Sequence, residues 1–226
     1  MRTFVYTNSA DMTHSLAHRV AQHIRARLAQ TYSVRIAFSG SPPLPMFTAL
    51  ARERLDWSRV TIMLADEQFV PSDSFDSHAR LLRQTLLRDQ AAMASFEPIN
   101  THIGRCVRRV VEFANAGYVQ PDVVVLGMSS DGRMGLITGD APELDAALSA
   151  RAEPGYVAVQ SPREPVRRIS LNLAALLSAR QIFLSVSGTD KLEVFEAARN
   201  RPPRANMPIS LLMHQEKVAL DVYQTR

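Results

Sequence analysis

The chain has 226 residues, a formal net charge of +4, 46% hydrophobic residues and 21% charged residues, an ordinary globular composition long enough for one large α/β domain. The single cysteine, Cys106, excludes an internal disulfide and a multi-cysteine zinc site, and no apolar run approaches the length of a membrane span. The N-terminus lacks the apolar core of a secretory signal, so the chain reads as cytoplasmic.

No long Gly/Ser linker, charge block or internal repeat divides the chain, which predicts one domain over residues 1–226. Its basic residues are almost all arginine; lysine occurs only at Lys191 and Lys217. The arginines are scattered along predicted helices, Arg19, Arg25, Arg27, Arg52, Arg54, Arg83 and Arg88 among them. That distribution predicts a solvated surface with a local anion site, not a nucleic-acid footprint.

Thr3 to Tyr6 predicts a first strand, and Asn8 or Ser9 is placed to cap the helix that follows. There Met12, Leu16, Val20, Ile24 and Leu28 recur every fourth residue as one apolar stripe. His14 and His18 stand one turn apart, a metal-binding spacing, but no HExxH-type carboxylate accompanies them. They and His23 read as solvated, and no metal site is expected. Ser33 to Phe38 predicts a second strand, running into Ser39, Gly40, Ser41, Pro42 and Pro43, with a helix from about Pro45. Small residues between a strand and a helix N-terminus expose N–H groups to a phosphate or oxyanion; an ordinary tight turn has the same composition.

Val60 to Ala65 predicts a third buried strand, ending on Asp66, Glu67 and Gln68. Acids there are placed to orient substrate hydroxyls or a basic partner; loop acids in water, or paired with an arginine, are the alternative. Ser77 starts a helix carrying Ala79, Leu82, Leu86 and Leu87, with His78 in its first turn, either a surface or a catalytic histidine. Ala91 to Asn100 carries little pattern. Val107 to Phe113 predicts a helix over a face of the sheet, with Cys106 as buried packing.

The stretch from Pro121 to Asp140, PDVVVLGMSSDGRMGLITGD, organises the rest. Val123 to Leu126 and Gly127 form a continuous apolar run, as a parallel strand buried on both faces requires. In open α/β sheets ligands bind outside the carboxyl ends of the strands, so Asp131, Gly132 and Arg133 are expected at the mouth of the site. Ala141 to Leu148 predicts a short helix. Tyr156 to Gln160 and Arg168 to Asn172 predict strands around a loop with Ser161, Pro162, Arg163 and Pro165. Leu173 to Leu177 predicts a helical turn and Gln181 to Gly188 a strong buried strand. Thr189 and Asp190 then cap a helix carrying Leu192, Val194, Phe195 and Ala198. Lys191 sits in its first turn, where a cation opposes the helix dipole, and so reads as an anion holder. Pro202, Pro203 and Pro208 mark a turn, Ile209 to Met213 a short segment, and Val218 to Tyr223 a last strand.

Strands alternating with helices predict an α/β fold of three layers, a mostly parallel sheet with helices on both faces, Rossmann-like in layout. Ser39 to Ser41, Asp66 to Gln68, Asp131 to Arg133, Arg168 and Gly188 to Lys191 lie at or near strand ends, where a parallel sheet lets most of them converge. Together they offer anion donors, acids and cations, a set suited to a phosphorylated polyol. No Walker P-loop and no G-x-G-x-x-G is present.

This constellation resembles the 6-phosphogluconolactonase family, within the group that includes glucosamine-6-phosphate deaminases. The family's SGGSTPKPLY is similar to FSGSPPLPMF, Phe38 to Phe47; its DER-x-VP to Asp66 through Pro71; its DSN to Asp76-Ser77-His78. Its LGMG-x-DGH-TASLFPG resembles LGMSSDGRMGLITGD, its SPKP…RITLT resembles SPREPVRRISLN, and its G-x-x-K matches Gly188 to Lys191. The match covers nearly the whole chain in order. The resemblance implies hydrolysis of 6-phosphogluconolactone in the pentose phosphate pathway without metal or cofactor. It puts Ser39, Gly40 and Ser41 against the substrate, Gln68 and Gly132 in the binding wall, and Asp66 and Asp131 in the catalytic set. Arg168 and Lys191 would take the phosphate.

The chain departs from the motif where the chemistry sits. The family's water-activating histidine is Arg133, and a guanidinium never deprotonates in a protein, so Arg133 cannot be a general base. The DER arginine is Gln68, the first signature glycine Ser39, its lysine Leu44, and the DSN asparagine His78. From this we expect either reduced efficiency, with Arg133 stabilising an oxyanion and His78 standing in as base, or a sugar-phosphate binding protein with little turnover. Oligomeric state is not set by the sequence.

Overall fold

The computed structural model describes residues 1–99, 101 and 106–226. Its main sheet has seven strands: β1 (Arg2–Tyr6), β2 (Val34–Phe38), β3 (Val60–Leu64), β5 (Ser95–Glu97), β6 (Val123–Gly127), β9 (Gln181–Ser187) and β10 (Ala219–Thr225). Their order is β1-β10-β9-β6-β2-β3-β5, and every pairing is parallel. β6 lies between β2 and β9 and is buried at all five positions. A strand buried at every position needs cover on both faces, which is why the sheet sits as the middle of three layers.

The helices follow from their apolar stripes. In α1 (Ser9–Leu28), Met12, Leu16, Val20 and Ile24 are fully buried, and Asn8 caps the helix by accepting the Asp11 N–H at 2.8 Å. The chain continues through α2 (Leu44–Ala51), α3 (His78–Thr85), α4 (Val107–Ala116), α5 (Leu144–Leu148), α6 (Leu173–Leu177), α7 (Thr189–Arg199) and α8 (Pro208–His214). The core is anchored by Phe38, Phe47, Phe183, Phe195 and Tyr223. Among the described residues no helix is long and apolar enough to cross a membrane.

Four expectations need correction. Asp66 to Gln68 is not a loop but a short strand, β4 (Asp66–Gln68), in a second, antiparallel sheet of order β4-β8-β7. The predicted strands at Tyr156 and Arg168 belong to it, as β7 (Tyr156–Val159) and β8 (Arg168–Leu171). The poorly patterned stretch from Ala91 holds the edge strand β5, too short for periodicity to reveal; Asn100 lies outside the described residues. Cys106 is exposed, not packed, because it stands outside α4 as its N-cap while Val107 and Val110 take the buried face.

The two sheets meet at Ala65. Its N–H donates to Phe38 O at the end of β2, and its carbonyl accepts the Leu171 N–H from β8, both at 2.8 Å. The chain thus passes from the parallel sheet into the antiparallel one in a single residue. That crossing delivers Asp66 to the carboxyl end of the parallel strands.

Candidate active site

Asp66 is fully buried beside the signature loop. Its Oδ1 lies 2.7 Å from His78 Nδ1 and accepts the Gly40 N–H at 3.2 Å. His78 Nδ1 also lies 2.9 Å from the Asp66 carbonyl oxygen. The ring packs directly on the loop: a Cβ placed on Gly40 would fall 2.2 Å from His78 Cδ2. Burial by itself depresses the histidine's pKa, but the Asp66 carboxylate, with Glu67 nearby, overrides that and raises it to about 9. His78 is therefore an imidazolium at neutral pH.

Glu67 serves neither of the roles the sequence suggested. Its Oε1 accepts the N–H groups of Gln68 and His78, both at 2.8 Å. Its Oε2 accepts the Ser77 hydroxyl at 3.0 Å and the Ala79 N–H at 2.8 Å. A buried carboxylate with four donors at a helix N-terminus is a structural anchor, and it fixes α3 and His78 with it.

β4 and β8 run antiparallel, pairing Gln68 with Arg168 and Asp66 with Ser170. Directly paired residues share a face, and so do residues two apart, so these four side chains line one wall. Arg168 is 9% exposed, and its Nε and Nη1 are buried with no hydrogen-bond partner among the described residues. The Oδ2 of Asp66 is likewise buried and unpartnered. Buried donors and acceptors are nearly always paired in folded proteins, so these groups have bonding capacity that the described residues leave unused.

Opposite stands the loop after β6. Arg133 Nε donates to both oxygens of Asp131, at 2.9 and 2.8 Å, and Arg133 Nη2 reaches Glu164 Oε1 at 3.1 Å. Glu164 Oε2 pairs with Arg168 Nη2. Burial raises the Asp131 carboxyl's pKa, but the Arg133 guanidinium outweighs it and holds the group below the usual carboxylate range. A continuous ionic chain, Asp131–Arg133–Glu164–Arg168, so joins the β6 loop to β8. Beside it opens a cavity of about 300 Å3 lined by Asp131, Thr138, Asp140, Ser161, Glu164 and Asn206.

Gly132 has φ +72°, a left-handed conformation that side chains disfavour, and its carbonyl accepts the Ile209 N–H of α8 at 3.0 Å. A Cβ there would lie 3.6 Å from Val194 Cγ1 of α7. Lys191 stands one turn before Val194 on the same helix face. No ion pair or hydrogen bond of Lys191 occurs among the described residues. Ser39 is buried and its Oγ accepts the Gly127 N–H at 3.2 Å, so it ties the signature loop to the end of β6. Ser41 N–H points to the same hydroxyl at 3.4 Å.

Of the residues singled out in the sequence, Asp131 lines the cavity beside the ionic chain, Arg133 and Arg168 join it through Glu164, and Asp66 and His78 pair beside Gly40. Glu164 was missed: it sits in a proline-rich loop, and its only sequence signal is Arg168 four residues on.

The fold is that of a three-layer α/β protein with a chain of ion pairs at the carboxyl ends of its parallel strands. A model of the family described as glucosamine-6-phosphate isomerases/6-phosphogluconolactonase matches residues 7–220. The chain belongs to that family. It is 34% identical over 223 residues to the 6-phosphogluconolactonase of Neisseria meningitidis, covering 96% of each chain. A crystal structure from Neisseria gonorrhoeae shares 32% identity at a TM-score of 0.95 over 100% of both chains. The crystal structure of a 6-phosphogluconolactonase from Shewanella baltica shares 30% identity at a TM-score of 0.90, over 100% of this chain and 98% of that one.

Proposed function

We propose that this chain hydrolyses 6-phosphogluconolactone to 6-phosphogluconate, as a cytoplasmic enzyme of the pentose phosphate pathway that uses no metal or cofactor. The observation that carries the reading is Arg168, whose buried Nε and Nη1 lack partners on a wall shared with Asp66 and Gln68. A phosphate supplies the acceptors those donors require, and Lys191 supplies a second cation from the far side. The lactone ring then lies towards Gly40, Ser41 and Gly132.

Arg133 takes the oxyanion role. Its guanidinium is fixed by Asp131 and Glu164, so it meets developing negative charge on the carbonyl oxygen without reorganising. It has no proton to lose, and His78, held as an imidazolium by Asp66, does not act as base near neutral pH. Water activation falls to the Asp131 carboxylate, which is 44% exposed in the cleft. A carboxylate tied to a guanidinium is a weak base, and the reaction it assists is intrinsically easy.

The test is turnover of freshly made lactone, corrected for spontaneous opening, by the parent and by Arg133→His. The parent is expected to accelerate hydrolysis, and the variant to gain about 10-fold or more from a true base. A parent no faster than buffer sinks the reading. The bound state of Arg133 also favours a second reading, a sugar-phosphate binding protein. Calorimetric binding of 6-phosphogluconate by a parent without turnover would select it.

A further inference from the structure

We propose that Glu164 is a positioning and charge-selecting residue: it clamps Arg133 onto the Asp131 side and weakens the site's hold on the ring-opened product. The inference rests on the lactonase reading for the identity of that product. One carboxylate spans two guanidiniums here, Oε1 on Arg133 and Oε2 on Arg168. It is 27% exposed, within reach of a ligand in the cleft. Only one edge of Arg168 is spent on it, and Nε and Nη1 remain unpartnered. A guanidinium has five N–H donors, so Arg168 is able to serve Glu164 and a phosphate at once.

The charges then decide what binds. Asp131, Arg133, Glu164 and Arg168 sum to zero, so the quartet offers an anion direction without net attraction. Lys191 adds the remaining positive charge. Lactone hydrolysis turns a neutral ester into a carboxylate, so the product carries one more negative charge than the substrate. A fixed carboxylate between the two arginines repels the phosphate that lactone and product share, and in the product it repels the added carboxylate as well. Glu164 therefore favours release of product over release of substrate. Its second task is geometric: with one oxygen held by Arg168, the other keeps Arg133 from swinging onto the phosphate.

Glu164→Gln keeps the shape and removes the charge. Calorimetry with inorganic phosphate and with 6-phosphogluconate is compared between parent and variant, beside product inhibition, KM and kcat on the lactone. Repulsion by one charge about 6 Å away, at an effective dielectric of about 40, is worth about tenfold in affinity. Phosphate is expected to tighten about tenfold and 6-phosphogluconate by more, while kcat falls. Phosphate affinity that is unchanged or weaker overturns the inference, even where the parent hydrolyses lactone normally. Tighter phosphate in a variant of an inactive parent sustains the charge role and refutes the lactonase reading instead. Should Glu164→Gln fail to fold, Glu164→Asp decides: it keeps the charge but is one methylene too short to span both arginines. Its phosphate affinity is expected to stay within about twofold while kcat drops; an unchanged kcat overturns the positioning role.

Discussion

Replacing His78 with asparagine is expected to remove a pH-dependent part of the stability. The imidazolium is held by the Asp66 carboxylate at 2.7 Å, in a pocket where the histidine side chain is 12% exposed and Asp66 is fully buried. Glu67 is the other charged group near it. The folded-state pKa of about 9 lies above the ordinary value of 6.5. A raised pKa means the folded state binds the proton more tightly than the unfolded chain does. The pair's contribution is therefore complete below about pH 6.5, declines as pH rises towards 9, and is gone above it. At about 1.4 kcal/mol per pH unit, the gap bounds the contribution at about 3 kcal/mol. Urea unfolding of parent and His78→Asn between pH 6 and 10 reads it directly. The stability difference between the two proteins should shrink by about 2–3 kcal/mol over that range. A difference that stays constant with pH would refute the pairing, whatever its size.

Gly40→Ala tests the same pair from the other side. The new methyl group meets the His78 ring at 2.2 Å, so the ring must leave Asp66. A loss of about 1–3 kcal/mol is expected, together with loss of the pH-dependent component; persistence of that component in the variant would contradict the packing. Arg168→Met should lower kcat/KM by about 10²–10³-fold, with most of the loss in KM, since charge-assisted bonds contribute about 1.5–3 kcal/mol each. Its melting temperature should fall, because Glu164 Oε2 loses its guanidinium partner, a loss only partly offset by removing two buried nitrogens that lack partners among the described residues. An unchanged KM would remove Arg168 from the phosphate site.

Much of the fold was legible because its signals are local. The run Val123 to Gly127 is apolar at each step, and a run of that kind has few places to go except the middle of a covered parallel sheet. The fourfold spacing from Met12 to Ile24 commits α1 to one buried face. The small polar break at Asp131 to Arg133 follows from the same logic, since parallel strands present their carboxyl ends together. Short elements escaped this reading. β4 and β5 have three residues each, too few for an alternation to be seen, and both are defined by their partners. Cys106 shows the opposite failure: a residue type that is commonly buried sits outside the helix it precedes.

The site divides in the same way. Sequence alone determined which residues stand at the strand ends, that Arg133 has no proton to give up, and that the cleft is cationic and acidic by turns. Tertiary structure decided who meets whom. His78 joins Asp66 across 12 positions, and Arg133 joins Glu164 across 31. Those pairings set a protonation state and a charge balance. Both are long-range electrostatic quantities, fixed by ångström distances and burial that no periodicity in the chain encodes.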